Sequence, residues 1–206
     1  MIGIDDIQRE LADLPAEDLA CVREYIAYLK WRARSGLREP AADGAGAWQY
    51  NLVEHFGSAS VRSSEHEGGM EVKAAEATVG GERRPALLAH PPISGEAQVE
   101  FVVPIPAGLS GLALQFAIGI RDGPPPEQER LVAFRVRVGG FQVWSRAARP
   151  TRWSPAEIAL PLQAGDALRL TLATDGLGDH HWAWAAWGEP MLVGMEESPA
   201  PGRISG

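Results

Sequence analysis

The hydrophobic period of this chain changes once. Over residues 4–33 apolar positions recur at spacings of three and four, with Ile4, Ile7 and Leu11 in one short stripe and Leu19, Val22, Ile26 and Leu29 in a second. That is the period of helices that bury one face. Between the stripes, Pro15 fits the first turn of a new helix, and Glu17 and Asp18 follow where the positive end of the macrodipole favours acids. The basic run at Lys30, Arg32 and Arg34 falls in the last turn, and Gly36 ends it. A helical pair is therefore expected over 1–36. Residues 37–47 are small, polar and rich in Gly and Ala, the composition of a linker.

Beyond the linker the period becomes two. Residues 98–103, 113–120, 131–138, 141–144, 156–160 and 167–173 alternate or run apolar over strand lengths, separated by clusters of Gly, Pro and Asp. The run Val138-Gly-Gly-Phe141 is a two-residue hairpin signal, because both turn positions accept positive φ. Strands at this spacing without helices between them predict antiparallel layers. The expected fold is mainly β: an antiparallel β-sandwich or jelly roll over 48–193, a small N-terminal helical segment, and a flexible tail over 194–206.

Composition narrows the function classes. The chain of 206 residues carries 19 Lys and Arg against 27 Asp and Glu, a formal charge of −8 that argues against a general nucleic-acid surface. The alternating aromatic and basic residues at Tyr25, Tyr28, Lys30, Trp31, Arg32 and Arg34 read better as a solvated helix end with snorkelling side chains. Cys21 stands alone, so no disulfide framework exists within one chain. No run approaches 18 apolar residues and no basic-then-apolar leader opens the sequence, so no membrane partner and a cytoplasmic location are expected. The helical pair is too small to bury its own stripes. Residues 4–33 are accordingly the expected surface for a homo-oligomer or a protein partner, should the chain be a scaffold.

Segments of the second region form a recurring shape. Trp48-Gln-Tyr-Asn-Leu-Val-Glu-His-Phe56 opens it, and Phe134-Arg-Val-Arg-Val-Gly-Gly-Phe-Gln-Val-Trp144 and Trp184-Ala-Ala-Trp-Gly-Glu-Pro190 follow. Residues 48–193 resemble the galactose-binding-type jelly roll of carbohydrate-binding modules attached to bacterial glycoside hydrolases. The resemblance implies a non-catalytic module that holds a carbohydrate or other polar ligand at its loop rim. It departs from the pattern at Ala183, where such modules often carry Asp. The first thirty or so residues resemble the Leu-Pro-x-Glu helical units at the start of some bacterial antitoxin-type proteins.

The candidate chemistry gathers in Thr174–Pro190, which holds three of the seven tryptophans and two of the five histidines. Asp179, His181 and Trp182 are candidate ligand-binding residues there, with Asp122 in Arg121-Asp122-Gly123 at the end of an apolar strand. A turn stabilised by the Asp122 side chain explains the same letters. Trp184 and Trp187 read as core on a terminal strand with a bulge among the alanines, and Trp182 as nearer the rim. Asp175, Asp179, His180 and His181 offer donors for a divalent cation. Neighbouring histidines on a strand point to opposite faces, however, and no metal or other cofactor is expected. His90 reads as a satisfied histidine near the core. Gly-x-Ser-x-Gly, the P-loop, Gly-x-Gly-x-x-Gly and His-Glu-x-x-His are all missing from the sequence, so no enzyme is expected.

Overall fold

The computed structural model describes residues 48–63, 72–123, 131–162 and 167–196, with Leu11 alone before them. The expected helical pair with its antitoxin-like resemblance, the linker at 37–47 and residues 197–206 of the expected tail lie outside the described residues. The described chain is built from strands β1 (Trp48–Asn51), β2 (Ser60–Arg62), β3 (Lys73–Val79), β4 (Glu82–Leu88), β5 (Glu96–Pro104) and β6 (Leu109–Ile120). They are followed by β7 (Val132–Val138), β8 (Phe141–Ala148), β9 (Ser154–Ala159), β10 (Ala167–Asp175) and β11 (Ala185–Glu196). All pairings are antiparallel. One sheet runs β3-β4-β11-β6-β9 with β1 also on β11, and the other runs β2-β5-β10-β7-β8. The expected boundary at residue 193 falls inside β11, which stays paired with β6 as far as Glu196.

Period-two alternation places the core between the sheets. Ala97, Val99, Phe101 and Val103 of β5 and Leu168, Leu170 and Leu172 of β10 turn inward from one sheet. Leu87, Leu114, Phe116, Ile118, Trp187 and Leu192 meet them from the other. Burying each large apolar side chain contributes roughly 1.5–3 kcal/mol. Trp187 sits at the centre, with Phe116 at 5.2 Å from its own sheet and Phe134 at 5.3 Å and Trp144 at 6.2 Å from the facing one. The expected hairpin at Gly139-Gly140 forms with φ of 58° and 87°, the positive pair of a primed turn.

Alternation in the sequence did not reveal β1 to β4. β3 is rich in alanine, a poor strand former, and β4 contains Pro85, which cannot donate to a ladder. The ladder between β4 and β11 stops at Ala86, so Pro85 has a ladder partner on one side only. Pro155 lies on the edge strand β9, and Pro190 sits at the bulge of β11 between Gly188 and Met191. Each of these three prolines therefore occupies a place where a missing donor costs little. The bulge falls at Glu189 and Pro190 rather than among the alanines. It divides β11 into a half that pairs with β4 and a half that pairs with β1.

A second small core covers the outer face of the six-stranded sheet. Ala86, Gly188 and Ala117 stand in one row across β4, β11 and β6, and Leu88, Ala186 and Gly119 in the next. The Trp153 indole lies over this shelf. A Cβ at Gly188 would come within 2.8 Å of its ring, and one at Gly119 within 3.0 Å. Trp153 Nε1 donates to the Glu82 carbonyl at 2.9 Å, so the buried indole is satisfied. This cover explains why Phe116–Gly119 of β6 is buried on both faces and apolar without a break. Replacing Trp153 by Ala should cost about 3–5 kcal/mol, seen as a lower denaturant midpoint with an unchanged slope. Retention of full stability would show that the shelf is not part of the core.

Candidate ligand-binding rim

The segment 176–184 joins β10 to β11 and folds as two successive tight turns. In the first, Asp179 N donates to the Gly176 carbonyl at 3.0 Å, and Leu177 and Gly178 take φ of 52° and 92°. Asp175 Oδ1 accepts from Leu177 N at 2.8 Å. In the second, Ala183 N donates to the His180 carbonyl at 3.2 Å, with Trp182 at φ 60°. A bulky side chain in the left-handed region costs about 1–3 kcal/mol, so the surroundings must impose it.

Those surroundings come from distant parts of the chain. Arg121 N donates to the Trp184 carbonyl at 2.9 Å, and Ala89 N to the Ala185 carbonyl at 3.0 Å. The buried Thr174 hydroxyl donates to the Ala89 carbonyl at 2.5 Å, linking the two sheets at this end. His180 is buried edge-on to the buried His90, with ring centres 6.4 Å apart. The segment is held by two sheets at once and cannot relax independently.

The tryptophan run accordingly does not lie along a strand. β11 begins at Ala185, so Trp187 alone is a strand residue and core, whereas Trp184 is half-buried outside the core. Trp182 is likewise partly buried, on the loop between the two strands. The two indoles stand 5.6 Å apart at 49°. The Arg121 guanidinium lies over Trp184 at 5.5 Å from the ring centre. Gly123 closes the packing: at φ 127° its missing Cβ would come within 2.6 Å of the Trp184 ring.

Of the four candidate residues, three come together on one loop. Asp179 Oδ1 accepts from both the backbone N and the ring Nδ1 of His181, at 3.0 Å each, beside Trp182. Asp122 lies on the adjoining loop, but its carboxylate is engaged otherwise. Its two oxygens accept from Gly80 N at 2.7 Å and Gly81 N at 2.9 Å, and its own N donates to the Thr78 carbonyl at 2.8 Å. Asp122 thus fastens the tip of the distant β3–β4 hairpin rather than a turn of its own loop, the alternative that the sequence offered. Arg121 and Trp184 were missed as rim residues. The local signal for Arg121 was a cation closing an apolar strand; Trp184 gave none, because the assumed strand period turned it inward. Among the described residues no group of three or more His, Cys, Asp or Glu is arranged to hold a metal ion.

Beside the rim, on the outer face of the five-stranded sheet, Glu96 receives Arg137 through two bonds of 2.7 Å and Arg135 at 2.5 Å. Arg135 also reaches Asp175 at 3.0 Å, where β10 leaves for the rim segment. Burial pushes the Glu96 carboxyl up, but the bonds and charges of Arg137, Gln98 and Arg135 outweigh it and hold it below its ordinary range. Burial likewise opposes the charge on Arg135, and Asp175 and Glu96 overcome it and raise its pKa.

No family model matches the chain, and no curated protein matches it. Solved structures do. One is a CBM51 module from Clostridium perfringens GH95 in complex with methyl-galactose, at 12% identity over 71% of this chain and 100% of that one, TM-score 0.46. Another is the M60 catalytic domain with CBM51-1 and CBM51-2 from Clostridium perfringens ZmpB, at 18% identity, TM-score 0.44. There the match covers 78% of this chain but 15% of the other. A family 35 carbohydrate-binding module from Clostridium thermocellum matches at 14% identity over 71% and 98%, TM-score 0.42. These likenesses transfer no residue role to this chain.

Two outcomes follow from the rim geometry. Gly123→Ala should lower stability by more than about 1 kcal/mol, since it meets both a strained φ and the Trp184 ring, and should alter the near-ultraviolet circular dichroism. An unchanged spectrum would mean that Gly123 does not seat Trp184. Because the Glu96 carboxyl is depressed in the folded state, its contribution is present above about pH 4.5 and lost as pH falls through the folded value. The stability gap between the native chain and Glu96→Gln should therefore narrow on acidification below that pH. A gap independent of pH would overturn this assignment.

Proposed function

We propose that the described domain is a non-catalytic carbohydrate-binding module whose ligand stacks on Trp182 at the loop end of the sandwich. The observation that carries this reading is the partly buried Trp182 indole on the loop, held at φ 60°, a conformation tryptophan does not choose for itself. An aromatic face suits the C–H face of a pyranose, and polar groups around it supply direction. Trp184 backs the platform, and Arg121 and Gly123 pack on Trp184 rather than on Trp182. Beside the platform, the exposed Asp179–His181 pair offers a carboxylate acceptor and an imidazole nitrogen to sugar hydroxyls. Stacking and hydrogen bonds suffice for such a function, with no bond made or broken.

The test separates the ring from the turn that carries it. A glycan array should show saturable binding to a limited set of sugars, and calorimetry on those should give at least a tenfold weaker Kd for Trp182→Ala, about 1.4 kcal/mol. Trp182→Gly is the sharper variant. Glycine adopts a φ of 60° freely, so the turn should persist and the thermal midpoint hold while binding disappears. An array silent throughout, or a Trp182→Gly chain that binds as well as the native one, would refute the module reading.

A further inference from the structure

We infer that Arg135, on the outer face of the five-stranded sheet, is a positioning residue for the rim: through Asp175 it sets the turn that leads to Asp179, His181 and Trp182. Its bearing on binding rests on the carbohydrate reading above, whereas the positioning itself concerns the free protein. The starting point is a pair of like charges. Asp175, the last residue of β10, stands directly opposite Glu96, the first residue of β5. Carboxylates facing each other across neighbouring strands repel, and solvent screens these two poorly, since their side chains are 24% and 14% exposed. Arg135 reaches in from β7, the strand on the other side of β10. Its Nη1 donates to Glu96 Oε1 at 2.5 Å and to Asp175 Oδ2 at 3.0 Å, so one nitrogen bridges the two acids.

The two ends of that bridge differ. Glu96 is an anchor. Its Oε1 also accepts from Arg137 Nη2 at 2.7 Å, and its Oε2 accepts from Arg137 Nη1 at 2.7 Å and from Gln98 Nε2 at 2.9 Å. Four bonds fill the acceptor sites of a carboxylate and leave it one orientation. Asp175 instead belongs to the sheet through one oxygen and to the rim through the other. Its Oδ1 accepts from Leu177 N at 2.8 Å, inside the turn where Leu177 takes φ of 52° and Asp179 N donates to the Gly176 carbonyl. Arg135 thus decides which way the Asp175 carboxylate faces, and that carboxylate holds the first of the two rim turns. The second turn follows directly: Asp179 Oδ1 accepts from His181 N, and Trp182 comes next. Without Arg135, Glu96 would keep Arg137, but Asp175 would face Glu96 with no cation between them. Its carboxylate would turn away from the sheet, and Leu177 N would lose its fixed acceptor. The bridge lies on the outer face of the sheet, away from the Trp187 core, so the sandwich should survive its loss.

The experiment is fluorine NMR of the full chain labelled with fluorotryptophan, which needs no sugar and so is decided separately from the binding test above. The Trp182 and Trp153 signals are identified by their loss in Trp182→Phe and Trp153→Phe. Arg135→Gln should shift or broaden the Trp182 signal and leave the Trp153 signal, from the outer face of the other sheet, in place. Asp175→Asn keeps an oxygen for Leu177 N but gives up the charge that Arg135 holds. It should reproduce the change, and the double variant should move Trp182 no further than either single one. Arg135→Lys should restore part of the native signal. Arg169→Gln, which releases Glu100 on the same sheet face, should leave Trp182 unmoved. An unchanged Trp182 signal in Arg135→Gln, or additive changes from Arg135→Gln and Asp175→Asn, would overturn the inference. So would an equal disturbance of Trp153, which would make Arg135 a general stabiliser of the sandwich and not a positioning residue.

Discussion

The arrangement of this molecule depends on Trp187 being locked between the sheets. Its indole meets Phe116 on one side and Phe134 and Trp144 on the other, so the start of β11 has one position relative to both layers. Interiors pack too densely for a ring of that size to slide, and a shift of one residue would expose it. Everything immediately before β11 inherits this fixed point. The segment 176–184 must then span from the end of β10, in one sheet, to the start of β11 in the other.

That span explains why the rim carries backbone strain. Two tight turns with Leu177 and Trp182 at positive φ occupy the span, and bonds from Arg121 and Ala89 hold its end in place. The well-packed sandwich compensates for an unfavourable loop conformation, and the result is a pair of partly buried indoles beside the Arg121 guanidinium. Stability and presentation are therefore properties of different places: the Trp187 core supplies the first and the 176–184 segment the second. The Trp153 shelf adds to the core from the opposite face, with small residues on three adjacent strands making room for the ring.

The two aspartates of the candidate site show how little residue type reveals about role. Asp122 and Asp179 both sit in loops rich in glycine, and both were read as ligand-binding candidates. In the folded chain Asp122 is spent on two backbone N–H groups more than forty residues away in sequence, at Gly80 and Gly81. Asp179 bonds its near neighbour His181 and remains exposed. Arg121, the neighbour of Asp122, instead lays its guanidinium over the Trp184 ring.

What the sequence determined by itself is local. Alternation in β5, β7 and β10 and the two glycines at 139 and 140 dictate strands and a primed turn, because side-chain period and positive φ are set within a few residues. β3 and β4 escaped notice, since alanine and an internal proline hide a strand whose edges only the assembled sheet can reveal. The rim was decided by tertiary structure. Trp182 and Trp184 look like members of a strand when read by alternation. They leave it because hydrogen bonds from Arg121 and Ala89, remote in sequence, set where the ladder begins. Contacts of that kind join residues whose spacing along the chain carries no period.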